Sequence, residues 1–322
     1  MEQNLATMID SLELQYGEME RGVFLDHPAV RLNGLALLPE TTLLDGGIEA
    51  WIAAEGPAYC GLVFRAQNAQ NFEMAYAQPH TSMSWDALQY DPVFNGSNTW
   101  QMYHGPGFQH AAEVPTGEWF RLRICFQDGR ALVSLGSQPP LRIDHLAHAP
   151  VSGRLGLWSY LPAWFCDVRI LPDVRLPEQP ATPLIISPAL VREWYLEGYG
   201  LVVCEPQGFL NLNRFLASRE EPALLHWRFL AERRQDLRLS FGFSDHLELF
   251  LDGSPVFEHN HNWYNKPAWH DRGYVARNMY SVTTEIERGV HELTARLAVN
   301  EPFGWGLVMA AEGKALQPLH WL

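Results

Sequence analysis

The chain is poor in the residues that several large function classes require. Its 322 residues include four cysteines, Cys60, Cys125, Cys166 and Cys204, each inside an apolar strand-like run and none in a CxxC pair. That placement predicts buried, reduced thiols and argues against a zinc site built from the four. No segment approaches the ~18 consecutive apolar residues of a membrane span. The opening segment MEQNLATMIDSLELQYGEME has neither a positive n-region nor a continuous apolar h-region, so a cytoplasmic protein is expected. Basic runs are missing. With 23 Lys and Arg against 37 Asp and Glu, a net charge of −14 excludes nucleic acid and anionic membrane as main partners. GxSxG and GxGxxG are absent, and Gly105-Pro106-Gly107 sets a proline where a phosphate cradle needs an amide. No nucleotide cofactor is therefore expected. Helical periodicity is also scarce, confined to a piece before Tyr16 and another around residues 211–218.

What the chain does have is period-2 alternation. Phe120, Leu122, Ile124 and Phe126 alternate with Arg121 and Arg123; Leu237, Leu239, Phe241 and Phe243 alternate with Arg238 and Ser240. Leu247, Leu249 and Leu251 repeat the pattern, as do Leu293, Ala295, Leu297 and Val299. Such runs mark antiparallel strands with one face on a core. Turn pairs at Asn95-Gly96, Asp128-Gly129 and Asp252-Gly253 punctuate them. The expected class is all-β, two antiparallel sandwich or jelly-roll domains. Residues 172–188, PDVRLPEQPATPLIISP, hold five prolines without alternation and read as a connector between domains at 1–171 and 189–322.

The densest chemistry lies in residues 78–107, QPHTSMSWDALQYDPVFNGSNTWQMYHGPG. Two strand-like runs joined by Asn95-Gly96 carry His80, Trp85, Asp86, Gln89, Tyr90, Asn95, Trp100, Gln101, Tyr103 and His104. Aromatic rings stack on the apolar faces of sugars and other flat ligands, while amides, carboxylates and imidazoles satisfy hydroxyls. The candidate ligand-binding residues are Gln89, Tyr90, Asn95, Trp100, Gln101, Tyr103 and His104, with His80 and Asp86 as a candidate acid–base pair. Trp100 and Tyr103 differ in parity, so a regular strand sends only one into a groove. A second cluster, FEHNHNWYNKPAWHDRGY, adds Trp263 and Trp269 as candidate platforms. There His259 and His261 have a metal-ligand spacing that His270 and Asp271 could complete, although HxH in a polar loop is more often only a loop.

The first half resembles the concanavalin A-like lectin/glucanase superfamily, the laminin-G-like sandwich. The resemblance rests on LLDGGIEAWIAA, GLVFRAQNAQNFEMAYAQPH, GEWFRLRICFQDGRALVSLG and GRLGLWSY, and spans about residues 20–171. The second half, about 190–312, resembles a galactose-binding-like jelly roll through FGFSDHLELFLDGSPVFEHN and VNEPFGWGLVMA. These resemblances imply carbohydrate or another small molecule as ligand. For the jelly roll they imply a structural calcium, which would need convergent oxygens such as Asp245, Asp271 or Asn262. No ExDxxE strand of the laminarinase type is present, which argues against that hydrolytic mechanism. Three readings follow. One is carbohydrate recognition in the aromatic and polar groove. Another is an enzyme in the same groove, either a glycosidase or lyase using His80 and Asp86 or a cyclase of a small metabolite. The third is a non-catalytic sandwich that binds a protein partner. The sequence leaves the oligomeric state open.

Overall fold

A computed structural model describes residues 5–178, 183, 187–217, 219–264 and 272–321. The fold is all-β, with antiparallel sheets forming sandwich and jelly-roll arrangements, as the alternation requires. Chain contacts divide it into two units, Met1–Thr182 and Pro183–Leu322.

The first unit is organised by one long strand, Gly153–Leu171. Along one side it pairs with His27–Leu43, which forms a ribbon with Glu13–Phe24. On the other side its partner changes. Arg154 to Tyr160 pair with Tyr59–Asn68, whose branch continues through Asn71–Ala77 and Leu88–Tyr90 to Gln109–His110. Trp164 to Leu171 pair with Gly46–Ala53, whose branch continues through Phe120–Gln127 and Arg130–Leu135 to Leu141–Ile143. The switch falls where Leu161 takes φ 66 and the register with the His27–Leu43 strand slips between Ser159 and Ala163. A bulge of this kind lets one strand turn from one layer into the next. The branches face each other through Phe64 and Phe126, whose rings stack at 4.8 Å. Ile48, Ile52, Leu62, Leu122, Ile124 and Leu157 are fully buried with them, each contributing about 1.5–3 kcal/mol relative to exposure.

The second unit packs a seven-stranded sheet against a four-stranded one. The larger runs Gly200–Val203, Glu193–Leu196, Ala223–Ala231, Gly289–Ala298, Asp245–Leu251, Ser254–His261, with Leu316–Leu319 also beside Ala223–Ala231. The smaller runs Phe209–Asn211, Gly306–Glu312, Gln235–Phe243, Tyr280–Ile286. Between them lie the residues that the alternation selects: Leu237, Leu239, Phe241, Phe243, Leu247, Leu249, Leu293, Ala295 and Leu297, with Phe229 and Trp305. All four cysteines are free and buried.

Among the described residues, helix is confined to Leu5–Asp10 and two 3-10 turns. The piece expected around 211–218 is only Leu212–Arg214. It is short because Asn211 Oδ1 accepts from Asn213 N at 3.1 Å, and Leu212 O from Phe215 N and Leu216 N at 3.0 Å, which closes a single turn.

Candidate functional site

The register of the first unit sets one row of side chains across the face of a branch turned away from Phe64 and Phe126, a face that packs its own apolar cluster of Leu35, Leu37, Val63, Met74, Tyr76 and Trp158. Trp158 pairs with Gly61, Gly61 with Tyr76, Tyr76 with Gln89, and Gln89 with Gln109. Cross-strand partners share a face, so these residues stand side by side. Gly61 is the low point of the row. A Cβ there would lie 2.6 Å from Tyr76 Cα, and its absence lets the Tyr76 and Trp158 rings approach to 5.4 Å. In the next row Tyr160 pairs with Tyr59, whose rings are 5.8 Å apart. Tyr59 also meets the His80 ring edge-on at 4.8 Å. Tyr16, from the N-terminal ribbon, accepts a hydrogen bond from Trp158 Nε1 at 3.2 Å.

One end of the face is therefore aromatic and the other polar. At the aromatic end Tyr160 is 61% and Tyr16 45% exposed, His80 is exposed and Tyr59 half-buried, whereas Tyr76 and Trp158 are buried. At the polar end the side chains are buried and hold the following loop. Gln89 Nε2 donates to the Tyr103 carbonyl at 2.9 Å, and its Oε1 accepts from Gln109 Nε2 at 2.6 Å. Gln109 Oε1 accepts from Gly105 N at 2.7 Å. Asp91 accepts from Thr99 N at 2.8 Å and Asn98 Nδ2 at 2.9 Å. Burial pushes its carboxyl up to about 7, against the pull of those donors and the Trp100 amide.

The sequence-predicted residues divide along these lines. Tyr90 points into the sandwich core, opposite Ala75 and fully buried. Its hydroxyl donates to Glu73 Oε2 at 2.6 Å and accepts from Ala147 N at 2.7 Å, while Glu73 Oε1 accepts from His148 N at 2.9 Å. This group fastens the segment after Leu141–Ile143 to the core. Gln101 and Tyr103 are buried, and Tyr103 meets Tyr90 and Phe108 edge-on at 6.0 and 5.6 Å. Asn95, Trp100 and His104 are half-buried. Asn95 holds φ 49 in the turn between Val93–Phe94 and Ser97–Asn98, and its N–H donates to Asn71 Oδ1 at 3.1 Å. The run expected as a second strand stops at Asn98, because Thr99 O accepts from Met102 N at 2.9 Å and turns the chain. The parity question about Trp100 and Tyr103 thus does not arise.

His80 Nδ1 donates to the Ala58 carbonyl at 3.1 Å. Asp86, 1% exposed, accepts from Ser84 Oγ at 2.8 Å, and its carbonyl accepts from Gln78 Nε2. In the second unit, Trp263 N donates to Glu301 Oε2 at 2.8 Å and the Arg272 guanidinium lies 5.6 Å from the Trp263 ring centroid. His259 stands opposite Leu247, and His259 and His261 lie 5.2 and 5.8 Å from the Tyr280 ring on one side of their strand. Trp269, His270 and Asp271 fall outside the described residues.

Asp245 bears on the calcium expectation. It is fully buried, and neither carboxylate oxygen has a hydrogen-bond partner in normal geometry. Burial raises it to about 8 and the Glu301 charge adds to this, while nearby Asn300 and Glu301 amides and Arg219 offset the effect in part. A buried carboxylate beside a second acid offers oxygens of the kind that calcium takes.

Tyr59, Tyr76, Trp158 and Tyr160 were not singled out from the sequence. The usable signal was parity: Tyr59 and Gly61, and Trp158 and Tyr160, are two apart on strands that the alternation already indicates.

No protein-family model matches the chain, and no curated protein matches it in sequence. Among solved structures, a carbohydrate-binding module from Bacillus subtilis is similar at 15% identity and TM-score 0.40, over 49% of this chain and 93% of that one. A protein of unknown function with a galectin-like fold, also from Bacillus subtilis, is similar at 15% identity and TM-score 0.36, over 52% and 92%. Domains LG4-5 of the mouse laminin alpha1 chain are similar at 12% identity and TM-score 0.30, over 89% and 91%. Likenesses of this degree leave the function to be read from the side chains themselves.

Proposed function

We propose that the first unit is a carbohydrate-recognition module that takes a glycan or glycoside at the exposed aromatic end of this sheet face, around Tyr160. The observation that carries this reading is the exposed Tyr160 ring beside half-buried Tyr59, flanked by exposed His80 and Tyr16 and seated on the buried Trp158 and Tyr76 rings. Sugar rings present flat C–H faces to aromatic rings and hydroxyls to imidazole and phenol groups, and this surface supplies both. The polar side chains Gln89, Gln109 and Asp91 support it from the side by fixing the adjoining loop.

Of the residues first selected by sequence, His80 has the exposure for direct contact, and Asn95, Trp100 and His104 form the half-buried rim of the same segment. Tyr90, Gln89, Gln101, Tyr103 and Asp86 act as supports. A structural calcium in the second unit would be held by Asp245 and would neutralise its buried charge.

The test is a glycan array followed by calorimetry on wild type, Tyr160→Ala and Tyr59→Ala. One stacking ring is worth roughly 0.5–1.5 kcal/mol, so each variant should weaken a sugar hit about 3- to 10-fold. Binding unchanged in both variants, or no glycan bound by wild type, would sink the reading.

A further inference from the structure

We infer that the outer face of the seven-stranded sheet in the second unit carries a transition-metal site made by His246, Glu248 and Glu258. His246 and Glu248 are two apart on the Asp245–Leu251 strand and alternate with core residues Leu247 and Leu249, so they share its outer face. Glu258 stands directly opposite Glu248 on the neighbouring strand, and Asn260 directly opposite His246. One ligand atom from each of His246, Glu248 and Glu258 lies within 4.8 Å of the others. His246 Nε2 is 3.7 Å from Glu248 Oε1 and 3.8 Å from Glu258 Oε1.

Two further features suit this group to a metal. The first is orientation. His246 Nδ1 lies 3.0 Å from Asn260 Oδ1, an acceptor, so Nδ1 donates there and Nε2 is the ring nitrogen turned toward both carboxylates. Metal-ligating histidines are held in this way, with the second ring nitrogen donating to an oxygen that fixes tautomer and ring plane. The second is charge. Two carboxylates directly opposite each other on neighbouring strands repel. Arg296, opposite Glu248 on the other side, takes Glu248 Oε2 at 2.7 Å and relieves only that residue. Among the described residues Glu258, 70% exposed at its side chain, has no such arginine and meets only His246 Nε2, at 3.8 Å. A divalent ion between the three ligand atoms would cancel the repulsion.

The chemistry selects the ion. One imidazole and two carboxylates suit zinc and its first-row neighbours, whereas calcium and magnesium prefer all-oxygen sets. A hollow of about 430 Å³ beside the group, lined by His246, Glu258, His259 and Asn260 and open to solvent, gives room for the waters that complete the coordination. This site is separate in residues from both the sugar face and Asp245.

The test is calorimetric titration of the full chain with zinc chloride at about pH 7.5, where an ordinary imidazole is largely neutral, paired with thermal unfolding. One zinc per chain should bind and raise the unfolding temperature, and excess calcium should not displace it. His246→Ala and Glu258→Gln should abolish that binding. Asn260→Ala should weaken it about ten-fold or more, as loss of an outer partner of a metal-bound histidine does. His320→Ala, which disrupts another His–Glu pair in the same unit, should bind zinc as wild type does. The inference is overturned if wild type binds no zinc, which would make the trio an ordinary ion-pair cluster. It is also overturned if binding survives His246→Ala, which would place the metal elsewhere. Circular dichroism of each variant separates loss of the ligand from loss of the fold.

Discussion

At the residue scale, two tyrosines show how burial separates support from contact. Tyr90 is enclosed and its hydroxyl serves two partners, Glu73 and Ala147 N. Tyr90→Phe should cost about 1–3 kcal/mol, the penalty for leaving buried polar groups unmet, read as a lower denaturant midpoint with sugar binding intact. Tyr160, on the surface, should behave in the opposite sense, its Ala variant losing affinity at unchanged stability. Asp91 and Asp245 give a pH signature. Both are held above their ordinary value of 3.8, to about 7 and about 8. Between about pH 4 and those values the folded protein keeps protons that the unfolded chain has lost. Stability in calcium-free buffer should therefore fall as pH rises from about 4 to 8 and level off above. Asp245→Asn should flatten the upper part of that slope. Added calcium should raise the unfolding temperature of wild type at about pH 8 and leave Asp245→Asn unmoved; an equal shift in both would remove Asp245 as its ligand.

At the element scale, Gly61 is the position on which the aromatic face depends. A Cβ there would sit 2.1 Å from the Ala75 carbonyl oxygen, a backbone atom that cannot swing aside. Gly61→Ala should destabilise the protein by about 3 kcal/mol, at the upper end of overpacking costs, measurable by chemical denaturation. The same strands show what the sequence makes legible. Leu237, Leu239, Phe241 and Phe243 announce their strand and its buried face by alternation alone, and Asn95-Gly96 announces its turn. Alternation is local, however, and the site is not. Trp158, Gly61, Tyr76 and Gln89 come together only through the register of four strands, which depends on bulges at residues that carry no distinctive chemistry. The chemistry-rich segment is buried for a physical reason: Gln89, with Gln109 beside it, supplies amides that a tightly folded loop needs for its own backbone.

At the scale of the whole molecule, charge limits the ligand. A net −14 repels uronates and sulfated sugars at long range. Neutral glycans should bind with an affinity that does not change between low salt and about 0.5 M, whereas any anionic glycan should bind better as salt rises and screens the repulsion. Calorimetry at two ionic strengths distinguishes these cases. Among the described residues no helix is long and apolar enough to cross a membrane.

The strand that joins both branches of the first unit, Gly153–Leu171, is the last of that unit in chain order. Without it the hydrogen-bonded sheet separates into the N-terminal ribbon, the branch beginning at Gly46–Ala53 and the branch beginning at Tyr59–Asn68. During synthesis the emerging chain therefore holds three unjoined pieces of sheet, with unpaired edges, until its keystone leaves the ribosome. A nascent chain stalled before residue 153 should be cut rapidly by protease, and one stalled far enough beyond 171 for the strand to clear the exit tunnel should resist.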